Sequence, residues 1–445
     1  MLAGRRIRRP LRVIAVLLVA TLISLHAGSV PSRNDIWHAV RRRQYQPNFP
    51  DTSICRTLSG ANDTVVILKT GSTELQDKLP IHIRTTLKCY PNHLIFSDYA
   101  EDFGATIVID ALEDVGLKYK NRHADFELYR RLQMSGRSIL DPTELSGPAS
   151  RPQNGTSGMP ANPGWKLDKW KFLPMMRKTL EGFPNKEWYV FVETDTYIFW
   201  SSMLSFLATL DSSKPYYIGN QMQIGDVLFA HGGSGFAVSR PALEKAVSHY
   251  IDHKSEWERF VEGHWAGDCV LGKAFKESGT TLTWAWPTLQ SDTVGSMDYE
   301  RTDYDHRLWC YPSISYHHLG PEDIEDLWRF EQHRISRPDG NSSSVLRHKD
   351  VYAEYVLPRT MMPRANWDNQ ANEDRGPAAS LDECCVICEN DASCLQYALS
   401  MGKCMTASSP RLGEVSPGVK SGWISERMRQ FHDNAEPCGN EEWIT

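Results

Sequence analysis

The chain has 445 residues, a 41% hydrophobic share with 14 Trp and 17 Tyr, and a formal net charge of −6. That composition excludes a disordered chain and leaves room for a large catalytic domain with a small second one. The mildly acidic balance carries no polyanion-binding signature, and no nucleic-acid motif is present.

Arg5, Arg6, Arg8, Arg9 and Arg12 precede residues 13–30, which contain no Asp, Glu, Lys or Arg. A stretch of that length sits at the lower limit for crossing a bilayer core of about 30 Å. Residues 1–12 therefore read as a cytoplasmic tail and 13–30 as a signal-anchor transmembrane helix, with the bulk of the chain lumenal. A cleaved signal peptide is the rival, since Ala27-Gly28-Ser29 offers small residues for cleavage. Residues 31–54, with Arg41-Arg42-Arg43, read as a solvated stem. Ten cysteines and the sequons at Asn62, Asn154 and Asn341 agree with a lumenal location.

Within residues 55–337, strands are expected over 64–71, 93–98 and 106–110, and a helix near 126–134. Residues 138–163, rich in Pro, Gly and Ser, read as a loop. A helix over 165–180 places Leu167, Trp170, Leu173, Met176 and Leu180 on one face, with Pro174 kinking or dividing it. The run Trp188-Tyr189-Val190-Phe191-Val192 is a buried strand, and a helix follows over 201–210. Strands alternating with longer segments predict a mostly parallel α/β sheet. Residues 338–375 read as a linker. Residues 376–445 hold six cysteines and read as a disulfide-stapled module rather than a zinc site. Among the other four, proximity favours Cys55–Cys89 and Cys269–Cys310.

The buried strand ends in Glu193-Thr194-Asp195, at the end of an open sheet where ligands bind. On a strand, residues i and i+2 share a side, so both carboxylates are expected to reach one metal or one metal-bound ligand. Oxygen ligands suit Mg²⁺ or Mn²⁺, and an added imidazole favours Mn²⁺. In Tyr316-His317-His318-Leu319, two adjacent histidines are expected to diverge, leaving one ligand at most. Asp268 opens a helix as either a cap or a catalytic acid. His231-Gly232-Gly233-Ser234-Gly235 allows close backbone approach to a ligand, or is a bare turn.

Taken in order, Lys69-Thr70-Gly71, Phe96-Ser97-Asp98, the Glu193 strand, Gly232-Gly233-Ser234-Gly235-Phe236, Gly267-Asp268-Cys269 and Tyr316-His317-His318-Leu319 resemble the Fringe-like and core 1 β1,3-galactosyltransferase group, glycosyltransferase family 31. The resemblance spans roughly residues 60–335. It implies a GT-A fold and an inverting, Mn²⁺-dependent, type II Golgi membrane enzyme. Such an enzyme moves a sugar, galactose in the first instance, from a UDP-sugar to a glycan or glycoprotein acceptor in β1,3 linkage. Asp195 and His317 match the metal ligands, and Asp268 matches the base. Thr70, Asp98, Glu193 and Gly233 fall where the donor is held, although Glu193 stands where the family usually has Asp. The C-terminal Glu383-Cys384-Cys385-Val386-Ile387-Cys388 and Lys420-Ser421-Gly422-Trp423 resemble a PAN/Apple module, which binds protein or carbohydrate or is a stabilised appendage. The alternative class is a membrane-tethered binding protein whose transferase domain no longer turns over.

Overall fold

The computed structural model describes residues 53–146, 162–337, 345–439 and 443–444. The expected anchor and nearly all of the stem, with Asn154 and Asn341, lie outside the described residues. Among the described residues, no helix is long and apolar enough to cross a membrane.

Eight strands form the main sheet: β1 (Thr64–Lys69), β2 (His93–Ser97), β3 (Glu101–Phe103), β4 (Thr106–Asp110), β5 (Trp188–Glu193), β6 (Tyr217–Gly219), β7 (Phe236–Ser239) and β8 (Leu282–Trp284). Their order is β8-β6-β7-β5-β1-β2-β4-β3. β1 runs parallel to β2 and β5, β2 to β4, and β6 to β8. Only β7 and β3 run against their neighbours. This is the mostly parallel α/β sheet that the alternation predicted. Every residue of β1 is buried, and β5 is buried up to Glu193. Strands apolar on both faces require cover on both faces, which is why they read as unbroken hydrophobic runs. β3 escaped the sequence reading because a short edge strand of Glu, Asp and Phe carries no apolar alternation.

Four helices frame the functional region: α1 (Leu75–Arg84), α2 (Pro163–Gly182), α3 (Gly267–Glu277) and α4 (Pro321–Ile335). The Asn162 side chain caps α2 by accepting from the Gly164 N–H at 2.8 Å. Pro174 does not divide α2, which is one 20-residue helix. Trp170, Phe172, Leu173, Met175 and Met176 are all buried around the proline. Their packing offsets the one backbone hydrogen bond that proline removes. The helices expected near 126–134 and 201–210 are found at Glu127–Ser135 and Trp200–Leu207.

Cys55 pairs with Cys89 as expected. Cys269 does not pair with Cys310. Cys310 bonds Cys438, 128 residues away, and Cys269 is a free, buried thiol inside α3. Proximity in sequence misled because Cys269 is fixed by the helix that also carries Asp268. In the C-terminal module, Cys384–Cys404 and Cys388–Cys394 are bonded and Cys385 is free, so these cysteines form staples rather than a zinc site.

That module is a five-stranded antiparallel sheet against helix Leu381–Glu389. The segment read as a linker is folded where it is described. It supplies a helical stretch from His348 to Arg359, edge strand Arg364–Asp368 and most of strand Glu373–Pro377. Leu412, Trp423 and Met428 share a hydrophobic core with Met297, Tyr299, Trp309 and Tyr352. The Gly413 N–H donates to the Gly295 carbonyl at 2.8 Å, and a side chain on Gly295 would stand 2.1 Å from Gly413 O. The module therefore buttresses the segment that leads to His317.

Candidate active site

β1 and β5 are paired in register Lys69↔Glu193, so their last residues meet at the carboxyl edge of the sheet. Lys69 Nζ lies 3.0 Å from Glu193 Oε1 and 2.7 Å from Asp168 of α2. Burial alone would lower the Lys69 pKa, but Asp168 and Glu193 outweigh it and the group stays charged. Glu193 is thereby paired with a lysine, and burial still pushes its carboxyl upward.

The chain leaves the strand at Glu193 and turns, closed by the Thr196 N–H donating to the Glu193 carbonyl at 3.1 Å. The i, i+2 rule therefore does not apply, and Asp195 faces a different set of partners from Glu193. Lys78 Nζ of α1 is 3.1 Å from Asp195 Oδ2 and 2.9 Å from Glu74. His317 Nε2 is 3.3 Å from Asp195 Oδ1, off the line of a hydrogen bond. Burial would raise the Asp195 pKa, but Lys78 and then His317 hold it well below the usual carboxylate range. His82 Nε2–H donates to the Thr194 carbonyl at 3.0 Å while Nδ1 accepts from Thr86 at 2.8 Å. Burial pushes the His82 imidazole down to about 4, so it pins the turn as a neutral group.

The second half of the site comes from the far end of the domain. The strand pair Ser315–Tyr316 with Tyr197–Ile198 places the following histidines beside Asp195. The Leu319 N–H donates to the Asp195 carbonyl at 2.9 Å. His318 takes a left-handed backbone, φ 57°, and its ring lies 3.7 Å from that of His317. The expectation that the two histidines diverge is overturned: the strand ends at Tyr316, and a left-handed residue brings the second ring back. Asp195, His317 and His318 each offer one ligand atom, all within 4.8 Å of one another.

Asp195 Oδ1 and His317 Nδ1 are buried without a hydrogen-bond partner. Buried polar atoms are normally satisfied, so orphans beside a carboxylate and two imidazoles fit a divalent cation. Glu193 lies outside this cluster.

Gly233 makes the arrangement possible. A methyl group there would stand 2.1 Å from His317 Cε1 and 2.4 Å from Nε2. Its place in the site is clearance for the metal-side ring. Gly233→Ala is expected to displace His317 and weaken any divalent-cation binding by about tenfold or more, measured by titration of the folded variant.

Asp268 lies in the first turn of α3, where Ala266 is the N-cap position and has no side-chain cap bond of its own. Oδ2 accepts from the Gly232 N–H at 3.1 Å and Oδ1 from the Cys269 N–H at 2.9 Å. Burial pushes the carboxyl up to about 6; Gly232 opposes this and Glu193 adds to it. A methyl on Gly232 would lie 3.0 Å from Glu193 Oε1 and 3.6 Å from Asp268 Cβ. The glycine turn thus separates an acid held near neutrality from the Asp195–histidine cluster.

Thr70 and Asp98 are fully buried. Asp98 accepts from the Ser72 N–H at 2.6 Å, and Lys171 donates to the Thr70 carbonyl at 2.9 Å. Both shape the turn after β1. Lys78, Asp168 and His82 carry no expectation from the sequence, and His318 was expected to yield to His317 as the one ligand. Lys78 left a signal, being four residues after Glu74 on a helix. Asp168 left none, because α2 was read through its apolar face.

An open α/β sheet with a metal-competent cluster and a raised acid at its carboxyl edge has the form of an enzyme. The family model described as Fringe-like matches residues 173–324, about a third of the chain. Fringe-like proteins are glycosyltransferases and commonly use a divalent metal. The matched region contains Asp195, Asp268, His317 and His318, and it is consistent with a family 31 type of transferase.

Proposed function

We propose that the protein is an inverting glycosyltransferase that moves a sugar, galactose in the first instance, from a UDP-sugar to a glycan or glycoprotein acceptor in β1,3 linkage. The observation that carries this reading is the Asp195–His317–His318 cluster with Asp268 across the Gly232–Gly233 turn, inside the Fringe-like match. The mixed oxygen and imidazole donor set suits a dication, Mn²⁺ above Mg²⁺, which would supply positive charge against the leaving diphosphate. Asp195, His317 and His318 would hold it. Asp268 accepts the proton of the acceptor hydroxyl as that oxygen bonds the anomeric carbon and the bond to UDP breaks. A single displacement inverts the anomeric centre. Backbone donors on both Asp268 oxygens fix its direction, and a carboxyl titrating near 6 is ionised yet basic at neutral pH.

The arginine-flanked apolar stretch at 13–30 and the disulfides support a type II Golgi membrane protein with a lumenal catalytic domain. The PAN-like module is a candidate for contact with the acceptor protein. The test is UDP release by the full chain with Mn²⁺, a panel of UDP-sugars and simple α-linked glycoside acceptors. Acceptor-dependent release that EDTA stops and Mn²⁺ restores is the expected result. No turnover of any UDP-sugar would favour the binding-protein alternative.

A further inference from the structure

α1 presents Glu74, Lys78 and His82 at four-residue spacing, Glu74 being its N-cap, and this stripe faces the Glu193-Thr194-Asp195 turn. The two acids of the turn are neutralised by different lysines. Lys69 serves Glu193 and Asp168. Lys171 donates to the Thr70 carbonyl. Lys78 differs from both, because its partner Asp195 is itself a residue of the metal-competent cluster.

That placement creates a conflict. A dication on Asp195 would share one carboxylate with an ammonium now 3.1 Å from it. Like charges at such separations repel strongly even at an effective dielectric of about 20. Glu74, 2.9 Å away, keeps Lys78 in the site but leaves its remaining donors free to turn. On the transferase reading, the donor's diphosphate would bind beside that metal.

We infer that Lys78 is a donor-phosphate residue held in reserve: it neutralises Asp195 in the free protein and turns to the diphosphate when a metal takes that carboxylate. The inference rests on the transferase reading above. It makes metal and nucleotide binding mutually supporting, because the metal releases the lysine that the nucleotide needs.

The test uses the full chain and its variants Lys78→Met, Lys78→Gln and Lys78→Arg, each checked by thermal melting. Mn²⁺ alone is titrated by the resonance signal of the free ion, and UDP is titrated calorimetrically at saturating Mn²⁺. The neutral variants are expected to bind Mn²⁺ alone about threefold or more tightly than wild type, since no ammonium competes for Asp195. They are expected to bind UDP at least about tenfold more weakly, for loss of a charge-assisted hydrogen bond. Lys78→Arg keeps UDP binding within about threefold of wild type. Neutral variants that bind UDP as well as wild type, or Mn²⁺ more weakly, overturn the inference; the latter would make Lys78 only a prop for Asp195. A neutral variant that does not fold is replaced in this comparison by the other, and failure of both to fold marks a structural role and overturns it too. A wild-type chain that binds neither Mn²⁺ nor UDP brings down the transferase reading itself.

Discussion

Replacing Asp195 by Asn is expected to lower kcat/KM by at least about a thousandfold, with Mn²⁺ affinity falling in parallel. Asn has the same shape, so packing is retained and the loss reports charge. Lys78 and His317 both point at this carboxylate, at 3.1 and 3.3 Å, and the substitution leaves each without its main counter-charge. Stability is expected to fall by about 2 kcal/mol at neutral pH, the scale of a charged hydrogen bond in a part-buried site. The pH dependence has a definite sign. A carboxyl held well below its unfolded value stabilises the fold above about pH 4, and that stability is lost as pH falls further. Thermal melts of wild type should therefore drop on acidification below about pH 4 more steeply than those of Asp195→Asn. A variant that turns over within tenfold of wild type would remove Asp195 from the metal role.

What the sequence made legible was the sheet and one residue of each functional part. β1, β2 and β5 are buried on both faces and β4 partly so, and all four were visible as apolar runs. Asp195 was visible because it follows an apolar strand, Asp268 because it opens a helix, and His317 through the resemblance of Tyr316-His317-His318-Leu319. What was hidden depends on how the chain turns after those boundaries. Glu193 and Asp195 are two apart, and a strand would have put them together; the turn at Thr194 sends one to Lys69 and the other to Lys78. His318 was dismissed on strand geometry, yet a single residue with φ 57° returns its ring to the site. Cys310 bonds a cysteine 128 residues away, a pairing set by packing of the C-terminal module on the Tyr299–Trp309 region rather than by spacing. For Asp195 and His318 a strand rule was carried two residues past the strand's last residue; for Cys310 spacing stood in for packing.

The same comparison separates the roles of the two acids. A metal shared by both acids would have made Glu193→Gln as damaging as Asp195→Asn. With Glu193 held by Lys69 and lying near Asp268, its removal is expected, on the proposed mechanism, to act on Asp268 rather than on the metal cluster. Glu193 and Asp268 are like charges on either side of Gly232, and after burial the Glu193 charge adds to the rise of the Asp268 carboxyl.

Asp268→Asn is therefore the sharper probe of the chemical step. kcat is expected to fall by about a hundred- to ten-thousandfold, the range for losing a general base, while Mn²⁺ and UDP affinities change little. Asn must turn its NH₂ towards one of two backbone donors, the Gly232 or the Cys269 N–H, so Asp268→Ala is the companion variant that avoids this clash. The wild-type profile carries the sign. Burial holds the Asp268 carboxyl up near 6, and a base works only when ionised, so kcat/KM should fall about tenfold per unit as pH drops below that value. The measurement belongs at saturating Mn²⁺, because Asp195 raises the His317 pKa against its burial, and a protonated imidazole would otherwise release the metal and mimic the same limb. Under that condition the residual rate of Asp268→Asn should be flat across the limb. A limb near 6 that persists in the variant would assign the proton to another group, and His317 would be the first to examine.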